Sequence, residues 1–298
     1  EVLHNDLRQQ TYSDIETIWL LNGSNEKTKN FLHSYDERVV IPEKNRWYSE
    51  GNNLAASKSS GEYLFVLNPD TRLEPDTIEA LVAMAETDNS AVFVPKILNE
   101  PNRNTIDSIG KSFSIAGWVG RIGADEVDKG QHDTPRVVPA FDGPAFMIRR
   151  SVVERIGLFD ERFVVFEETN DLALRLQAAG EQIVTTPDAV VSHYGGASYE
   201  SSAHQSSTFQ YYGTRNDLFT IAKNFHILYL FLVLPIHIVW PLRAVIRLFR
   251  DGEFELGIAR FRGLVAGLSL AIQNREGTLS LAEQSYLIFK LPVPVSRS

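Results

Sequence analysis

Gly61-Glu62-Tyr63-Leu64-Phe65-Val66-Leu67-Asn68-Pro69-Asp70-Thr71 reads as a buried strand that ends in a turn carrying a carboxylate. Five consecutive apolar or aromatic residues, bounded by Gly61 before and Asn68-Pro69 after, have the length and content of a strand covered on both faces. Asp70 then emerges at the carboxyl end of a central strand, the edge at which ligands collect in open α/β sheets. Taken alone, such an aspartate is as readily a cap, and Thr71 to Asp76 reads equally well as a turn.

The flanking pattern decides the fold class. Upstream, Ile15 to Leu21 is an apolar run closed by Asn22-Gly23-Ser24, Arg38 to Ile41 is a second β-rich run, and residues 49–60 read as a helix of small residues. Downstream, Ile78, Leu81 and Val82, with Met84 or Ala85, have helical spacing within Glu74 to Thr87, and Ala91 to Val94 is strand-like. This alternation predicts an α/β layer architecture with a largely parallel sheet. Residues 99–139 are polar and glycine-rich and predict a long excursion over the binding edge. Within it, Gly110-Lys111-Ser112 has the ending of a phosphate-binding P-loop, but the first glycine of that motif would fall on Thr105. Regular pattern resumes with a strand at Ala145 to Ile148, a helix from Ser151, a helix from Asp171 to Ala179, and short strands at 183–187 and 189–191.

The last third differs. Ile227 to Leu242 is apolar apart from His237, is interrupted by Pro235 and Pro241, and falls short of the ~20 residues that a spanning helix needs. Arg243, Arg247 and Arg250 follow on one helical face, with Arg260 and Arg262 beyond and a second apolar stretch from Gly263 to Ile272. The predicted division is residues 1–215 as a catalytic domain and 216–298 as a helical region. That region either lies on an anionic membrane, or forms a dimerisation hairpin, or caps the catalytic domain.

Composition narrows the chemistry. The chain has 298 residues, of which 43% are hydrophobic and 22% charged, which marks it as globular. Its formal net charge of −9 argues against a nucleic-acid partner. With no cysteine there is no disulfide, thiolate zinc site or cysteine nucleophile, and a reducing cytoplasm suits it. The opening EVLHNDLRQQ lacks a signal-peptide pattern and reads as the middle of an amphipathic helix.

Several segments in order carry a resemblance. They are residues 10–16, QTYSDIE; Asn22-Gly23-Ser24; Asn45-Arg46; Gly51-Asn52-Asn53; and LNPDT at 67–71. FDGPAFMIRR (141–150), GLFDERF (157–163), FEETNDLALRL (166–176), HYGGAS (193–198) and YYGTRN (211–216) follow. Each is loose, but the ordered set, over roughly residues 5–220, resembles the family 2 glycosyltransferases of the GT-A fold, rhamnosyltransferase-like ones in particular. The resemblance implies a GT-A type mixed, mainly parallel sheet flanked by helices, with a helical, membrane-associated C-terminal extension. It also implies inverting, metal-dependent transfer of a sugar such as L-rhamnose from a dTDP- or UDP-linked donor to a lipid-linked glycan, at the cytoplasmic face of the cell membrane. The enzyme would be peripheral to that membrane and either monomeric or a homo-oligomer.

Residue by residue, the resemblance makes Asp70 the carboxylate that binds Mg²⁺ or Mn²⁺, with Asn68 at the first position of the family's DxD-type motif. Hard oxygen ligands suit such ions, and a cation bridging the phosphates offsets the charge of the departing diphosphate. His193 is the second metal ligand, or else a histidine satisfied at a strand end; Gly195-Gly196 beside it would admit a phosphate closely. Asn22, Asn45, Asn52 and Asn68 fall at positions that face the nucleotide-sugar. Arg215 either reaches the diphosphate as a bidentate donor or is a helix-start arginine paired with Asp217.

Inversion needs a carboxylate to take the acceptor's proton. Glu167, Glu168 and Asp171 offer three candidates, which alternatively are capping acids at a helix start. Anchoring the motif on Phe166 makes Glu168 the base and Asp171 its positioning partner, whereas anchoring on Asp171-Leu172 puts Thr169 there. Asp142 either binds an acceptor hydroxyl or belongs to a plain Asp-Gly-Pro turn. Two departures from the family stand out: Leu21 occupies the place of a base-reading aspartate, and the family's first strand is missing ahead of residue 1. They motivate a second reading, a degenerate transferase acting as a nucleotide-sugar-binding or assembly subunit. A glycoside hydrolase also uses two carboxylates but needs neither nucleotide nor metal.

Overall fold

The structure is a computed structural model that describes residues 1–23, 26–195, 206–277 and 279–289. The first half runs α1 (Val2–Arg8), β1 (Ile18–Leu20), α2 (Glu26–Ser34), β2 (Arg38–Val40), α3 (Trp47–Ser57), β3 (Tyr63–Leu67), β4 (Thr71–Leu73), α4 (Thr77–Thr87) and β5 (Val92–Asn99). Then come three short strands, β6 (Ile106–Ser108), β7 (Lys111–Phe113) and β8 (Val119–Arg121), followed by β9 (Ala145–Arg149), α5 (Arg150–Ile156), α6 (Glu168–Ala178) and β10 (Ile183–His193). Helices α7 (Ser207–Asn224), α8 (Ile227–Arg250), α9 (Phe254–Gln273) and α10 (Leu281–Phe289) complete the chain.

The expected mixed sheet flanked by helices is present. Its path is β3-β9-β5-β10-β4, with β6 paired to β5, while β1 and β2 form a separate parallel pair. Within the larger sheet only β5 and β10 are parallel; the other pairings are antiparallel. The parallel share is smaller than the strand–helix alternation implies, because β4, β6 and β9 are return strands whose direction leaves no trace in hydropathy. Strand β5 is central, and its residues from Val92 to Leu98 are buried on both faces. Phe93 and Met147 face Ile78, Leu81 and Val82 of α4, whereas Val92, Val94 and Ile148 face Leu172 and Leu176 of α6.

Two expectations from the sequence change. The pair of strands at 183–187 and 189–191 is one strand, β10, with a register shift between Thr186 and Val190. Pro187 lies inside that shift, where its missing N–H breaks no ladder bond. Likewise the proline-interrupted run from Ile227 is one continuous helix of 24 residues that contains both Pro235 and Pro241. It is long and apolar enough to cross a membrane by length and composition. Yet Leu230, Val233, His237, Pro241 and Val245 form a buried stripe against the rest of the protein.

The boundary expected at 215/216 falls inside α7, one unbroken helix. Two features weld it to both sides. Lys223 Nζ lies 2.7 Å from Asp160 and 2.8 Å from Asp171, and Arg175 Nε completes Asp171 at 2.9 Å. Burial would push the Asp160 carboxyl up, but Arg162 and Lys223 hold it well below the usual carboxylate range. On the other side, α9 approaches α7 through Gly263 and Gly267. A Cβ at Gly267 would sit 2.7 Å from the Arg215 carbonyl oxygen, and one at Gly263 would collide with that of Tyr211.

Candidate active site

Asp70 and His193 meet at one edge of the sheet. The turn after β3 is closed by Thr71 Oγ1 donating to the Asn68 carbonyl at 2.7 Å, and the Tyr194 N–H donates to the Asp70 carbonyl at 3.0 Å. Antiparallel pairing sets His193 opposite Thr71, so its ring falls beside the preceding residue. His193 Nε2 is 3.5 Å from Asp70 Oδ2, and Nδ1 is 2.9 Å from Asp107 Oδ2. Burial pushes the imidazole down, but the two carboxylates outweigh it and raise its pKa to about 9. Asp70 is correspondingly lowered, chiefly by its hydrogen bond to His193, against the upward push of burial.

Asp107 was not singled out in the sequence. It stands 86 residues from His193 in an Ile-Asp-Ser strand with no motif around it, and it is paired with Arg121. A carboxylate behind a histidine fixes ring orientation and tautomer, which is how a metal-ligating imidazole is held. Asp70 and His193 are therefore the residues that could hold a divalent cation. Among the described residues no group of three His, Asp or Glu converges on one point. The protein would supply an oxygen and a nitrogen ligand and leave the other positions to phosphate and water. A cavity of about 580 Å³ opens beside Asp70, between Pro69, Thr71, Tyr194 and the Lys27, Thr28 and Phe31 side of α2.

Three of the asparagines expected at the nucleotide make hydrogen bonds to backbone. Asn22 bridges the chain, accepting from Arg46 N–H and donating to the Trp47 carbonyl. Asn45 accepts from Trp47 N–H at 2.7 Å, and Asn52 donates along α3 to the Tyr48 carbonyl at 2.9 Å. Asn68 N–H donates to the Pro144 carbonyl at 2.9 Å, which ties the Asp70 turn to the Asp142 loop. Ser24 and Gly196 lie outside the described residues.

The second half of the site is built on strained backbone. Val164, Phe166 and Glu167 all have positive φ (66, 68 and 68°), a conformation that non-glycine residues adopt only when their surroundings enforce it. Tyr48 and Ser49 N–H groups both donate to the Val164 carbonyl at 3.1 Å. From α7, Asn216 Nδ2 reaches the carbonyls of Phe163, Val165 and Phe166 at 2.7, 2.7 and 2.9 Å. Thus the YYGTRN motif acts here through Asn216, which the sequence reading passed over in favour of its neighbour. Arg215 is not a helix-start arginine paired with Asp217. It sits mid-helix, donating to Asn216 Oδ1 at 2.8 Å and to the Arg162 carbonyl, while Asp217 pairs with His237.

This loop delivers Glu168 into a buried pocket with Asp142, Tyr48 and Lys111. Burial raises the Glu168 carboxyl to about 7, opposed by its own backbone N–H and by Lys111, with Glu167 and Asp171 adding to the rise. The Tyr48 hydroxyl, which donates to the Gly143 carbonyl at 2.8 Å, is pushed well above its usual range by burial and by the Glu168 and Asp142 charges. Glu168 Oε2 and Asp142 Oδ2 are buried with no hydrogen-bond partner among the described residues. The other two acids are engaged elsewhere. Glu167 accepts from Asn170 at 2.8 Å, and Asp171 is taken up by Lys223, Arg175 and Asn224.

Comparison with known proteins gives the family and the fold. The family model described as "Glycosyl transferase family 2" matches residues 1–157. The chain is 29% identical over 211 residues to the O-antigen biosynthesis protein RfbC of Myxococcus xanthus, covering 66% of this chain and 16% of that protein. It is 25% identical over 176 residues to the N-acetylglucosaminyl-diphospho-decaprenol L-rhamnosyltransferase of Mycobacterium tuberculosis (52% of this chain, 56% of that one). It is 24% identical over 182 residues to the rhamnosyltransferase WbbL of Escherichia coli K12 (55% and 69%). The chain thus spans a sixth of the first relative and just over half of the second. Among solved structures, GalNAc-T7 with UDP, GalNAc and Mn²⁺ superposes with a TM-score of 0.54 at 19% identity, over 64% of this chain and 40% of that one. The mannosyltransferase PcManGT of Pyrobaculum calidifontis, in complex with GDP-Man and Mn²⁺, gives 0.52 at 15% identity over 96% and 73%.

A carboxyl raised by burial destabilises the fold once it ionises. Between the unfolded-state pKa near 4.5 and the native value near 7, the native state holds the extra proton, so stability falls as pH rises. Glu168→Gln removes that penalty. At pH 8 the variant is expected to be more stable than the parent, by on the order of 2 kcal/mol in urea denaturation, with the gain gone by pH 4.

Proposed function

This chain belongs to glycosyl transferase family 2 and has the GT-A fold, and from that premise we propose that it is an inverting, metal-dependent enzyme that transfers L-rhamnose from a dTDP- or UDP-linked donor to a lipid-linked glycan. One observation carries the reading: at the sheet edge where Asp70 and His193 converge, Glu168 presents a buried carboxylate oxygen that has no partner among the described residues. The names of the Mycobacterium and Escherichia relatives, both rhamnosyltransferases, support the sugar, and the decaprenol-linked substrate in the first name supports the acceptor.

The chemistry follows from these side chains. Ionised Glu168 accepts the proton of the attacking hydroxyl. As that O–H bond breaks, the acceptor oxygen bonds to the anomeric carbon, and the bond from that carbon to the diphosphate oxygen breaks on the opposite face. Asp70 and His193 would hold Mg²⁺ or Mn²⁺, whose charge stabilises the leaving diphosphate. Asp107 accepts from Nδ1–H of His193, which makes Nε2 the ring nitrogen that would ligate once the cation displaces its proton. Asp142 holds the acceptor in place.

The location we assign is the cytoplasmic face of the membrane. Opposite its buried stripe, α8 exposes Phe231 (74%), Leu232 (68%) and Trp240 (59%), and α9 adds Phe254, Ile258 and Ile272. Arg243, Arg247 and Arg250 stand along the last turns of α8. An apolar face with flanking arginines suits an anionic leaflet entered in-plane, because docking on the catalytic domain occupies the other side of the helix.

Asp70→Ala is expected to abolish Mn²⁺-dependent release of nucleoside diphosphate from dTDP-rhamnose, with chelation doing the same to the parent. Undiminished turnover in the variant would remove this assignment, and nucleotide binding without turnover in the parent would favour a degenerate subunit. For the membrane face, the parent should float with phosphatidylglycerol vesicles, and Phe231→Glu/Leu232→Glu should weaken that binding about tenfold or more. A parent that stays unbound and sediments as a dimer would instead assign the face to a second copy.

A further inference from the structure

Lys111, met in the sequence as part of a failed P-loop, has a defined place in the fold. Its backbone N–H donates to the Ala140 carbonyl at 2.7 Å, and its carbonyl accepts from Ala140 N–H at 3.2 Å. That exchange pins the start of β7 two residues short of Asp142. From there Lys111 Nζ reaches Asp142 Oδ1 at 3.0 Å and Asn170 Oδ1, in the first turn of α6, at 3.4 Å. All three side chains are largely buried.

The ionisable groups of this cluster come from five elements. Asp142, in the loop before β9, and Glu167 and Glu168, at the start of α6, interact with Lys111, while Tyr48 of α3 faces Asp142 and Glu168. Asp171, one turn further along α6, is already neutralised by Arg175 and Lys223. Asp217 of α7 is paired with His237 of α8, whose other ring nitrogen meets the Ala116 carbonyl at 2.7 Å. Glu167 accepts from Asn170, so among the described residues Asp142 and Glu168 are left to share Lys111. Its direct contact is with Asp142, whereas Glu168 feels it only through space. Each carboxylate keeps one buried oxygen without a partner among the described residues.

We propose that Lys111 is a positioning residue that divides the work between these two carboxylates, holding Asp142 in a buried ion pair and leaving Glu168 as the group that takes the acceptor's proton. The two free oxygens then call for two hydroxyl donors. The acceptor is accordingly a sugar that offers the site two hydroxyls: the attacking one passes its proton to Glu168, and the second donates to Asp142 without transferring its proton. This rests on the assignment of Glu168 as base.

The division can be tested without knowing the acceptor. Infrared difference spectra between each protein and its Glu168→Gln counterpart, recorded across pH 3–10, isolate the Glu168 carboxyl. Its midpoint in the parent is expected near 7. Lys111→Met should raise the midpoint by about one unit or more, and Lys111→Arg should restore it. Asp142→Asn should lower it, because a like charge is lost and the ammonium is released toward Glu168. A purely structural role for Lys111 would move the first and third variants in the same direction, or neither, and either result overturns the proposal. A parent midpoint near 4 that still moves in these opposite directions would sustain the positioning role while removing Glu168 as the base. Thermal melts of each variant establish that the fold is intact.

Discussion

One amide holds the loop that carries Glu168 in place. Asn216 has two N–H protons and spends them on three carbonyls, those of Phe163, Val165 and Phe166, so at least one proton is shared. Those carbonyls belong to a segment with three non-glycine residues at positive φ, each worth on the order of 1–3 kcal/mol of strain. Such a segment persists only where its surroundings over-determine it. Here the Tyr48 and Ser49 N–H groups grip it from α3 while Asn216 grips it from α7. The product of that grip is the position of Glu168, which heads α6 with its carboxylate turned into the pocket and not toward solvent.

Two kinds of electrostatics then share one sheet edge. Around His193, opposite charges lie within hydrogen-bond reach, and the result is an imidazole raised to about 9 and a lowered Asp70. Around Glu168, burial dominates and a carboxyl is raised to about 7. The first environment suits holding charge and the second suits moving a proton near neutral pH. Leu67 at the end of β3 pairs with Ala145 at the start of β9, so the Asp70 turn and the Asp142 loop leave the sheet side by side.

What was legible in the sequence was local. The strand from Tyr63 to Leu67, the carboxylate after it, the histidine closing Val190-Val191 and the acids heading a helix are each read from a few neighbouring residues. What escaped was set by long-range packing. Asp107 meets His193 across 86 positions, and Lys111 meets Asp142 only because β7 pairs with Ala140. Arg215 and Asn216 illustrate the limit. They are adjacent on α7, and a step of one residue turns a side chain by about 100° around the helix. The sequence identified the motif, but which of the two faces the loop is decided by how α7 packs. Asn22, Asn45 and Asn52, expected at the nucleotide, show the same thing from the other side: their amides make backbone hydrogen bonds that their spacing does not announce.

The claim on which the rest depends is that the Asn216 clamp places Glu168. It is tested most directly by the turnover of Asn216→Ala, measured as nucleoside diphosphate release at saturating donor, with nucleotide affinity measured alongside. The account predicts a loss of about 100-fold or more in kcat, with the nucleotide affinity and cooperative melting retained, since misplacing a catalytic group by about 1 Å is enough for that. A kcat within about threefold of the parent would contradict it.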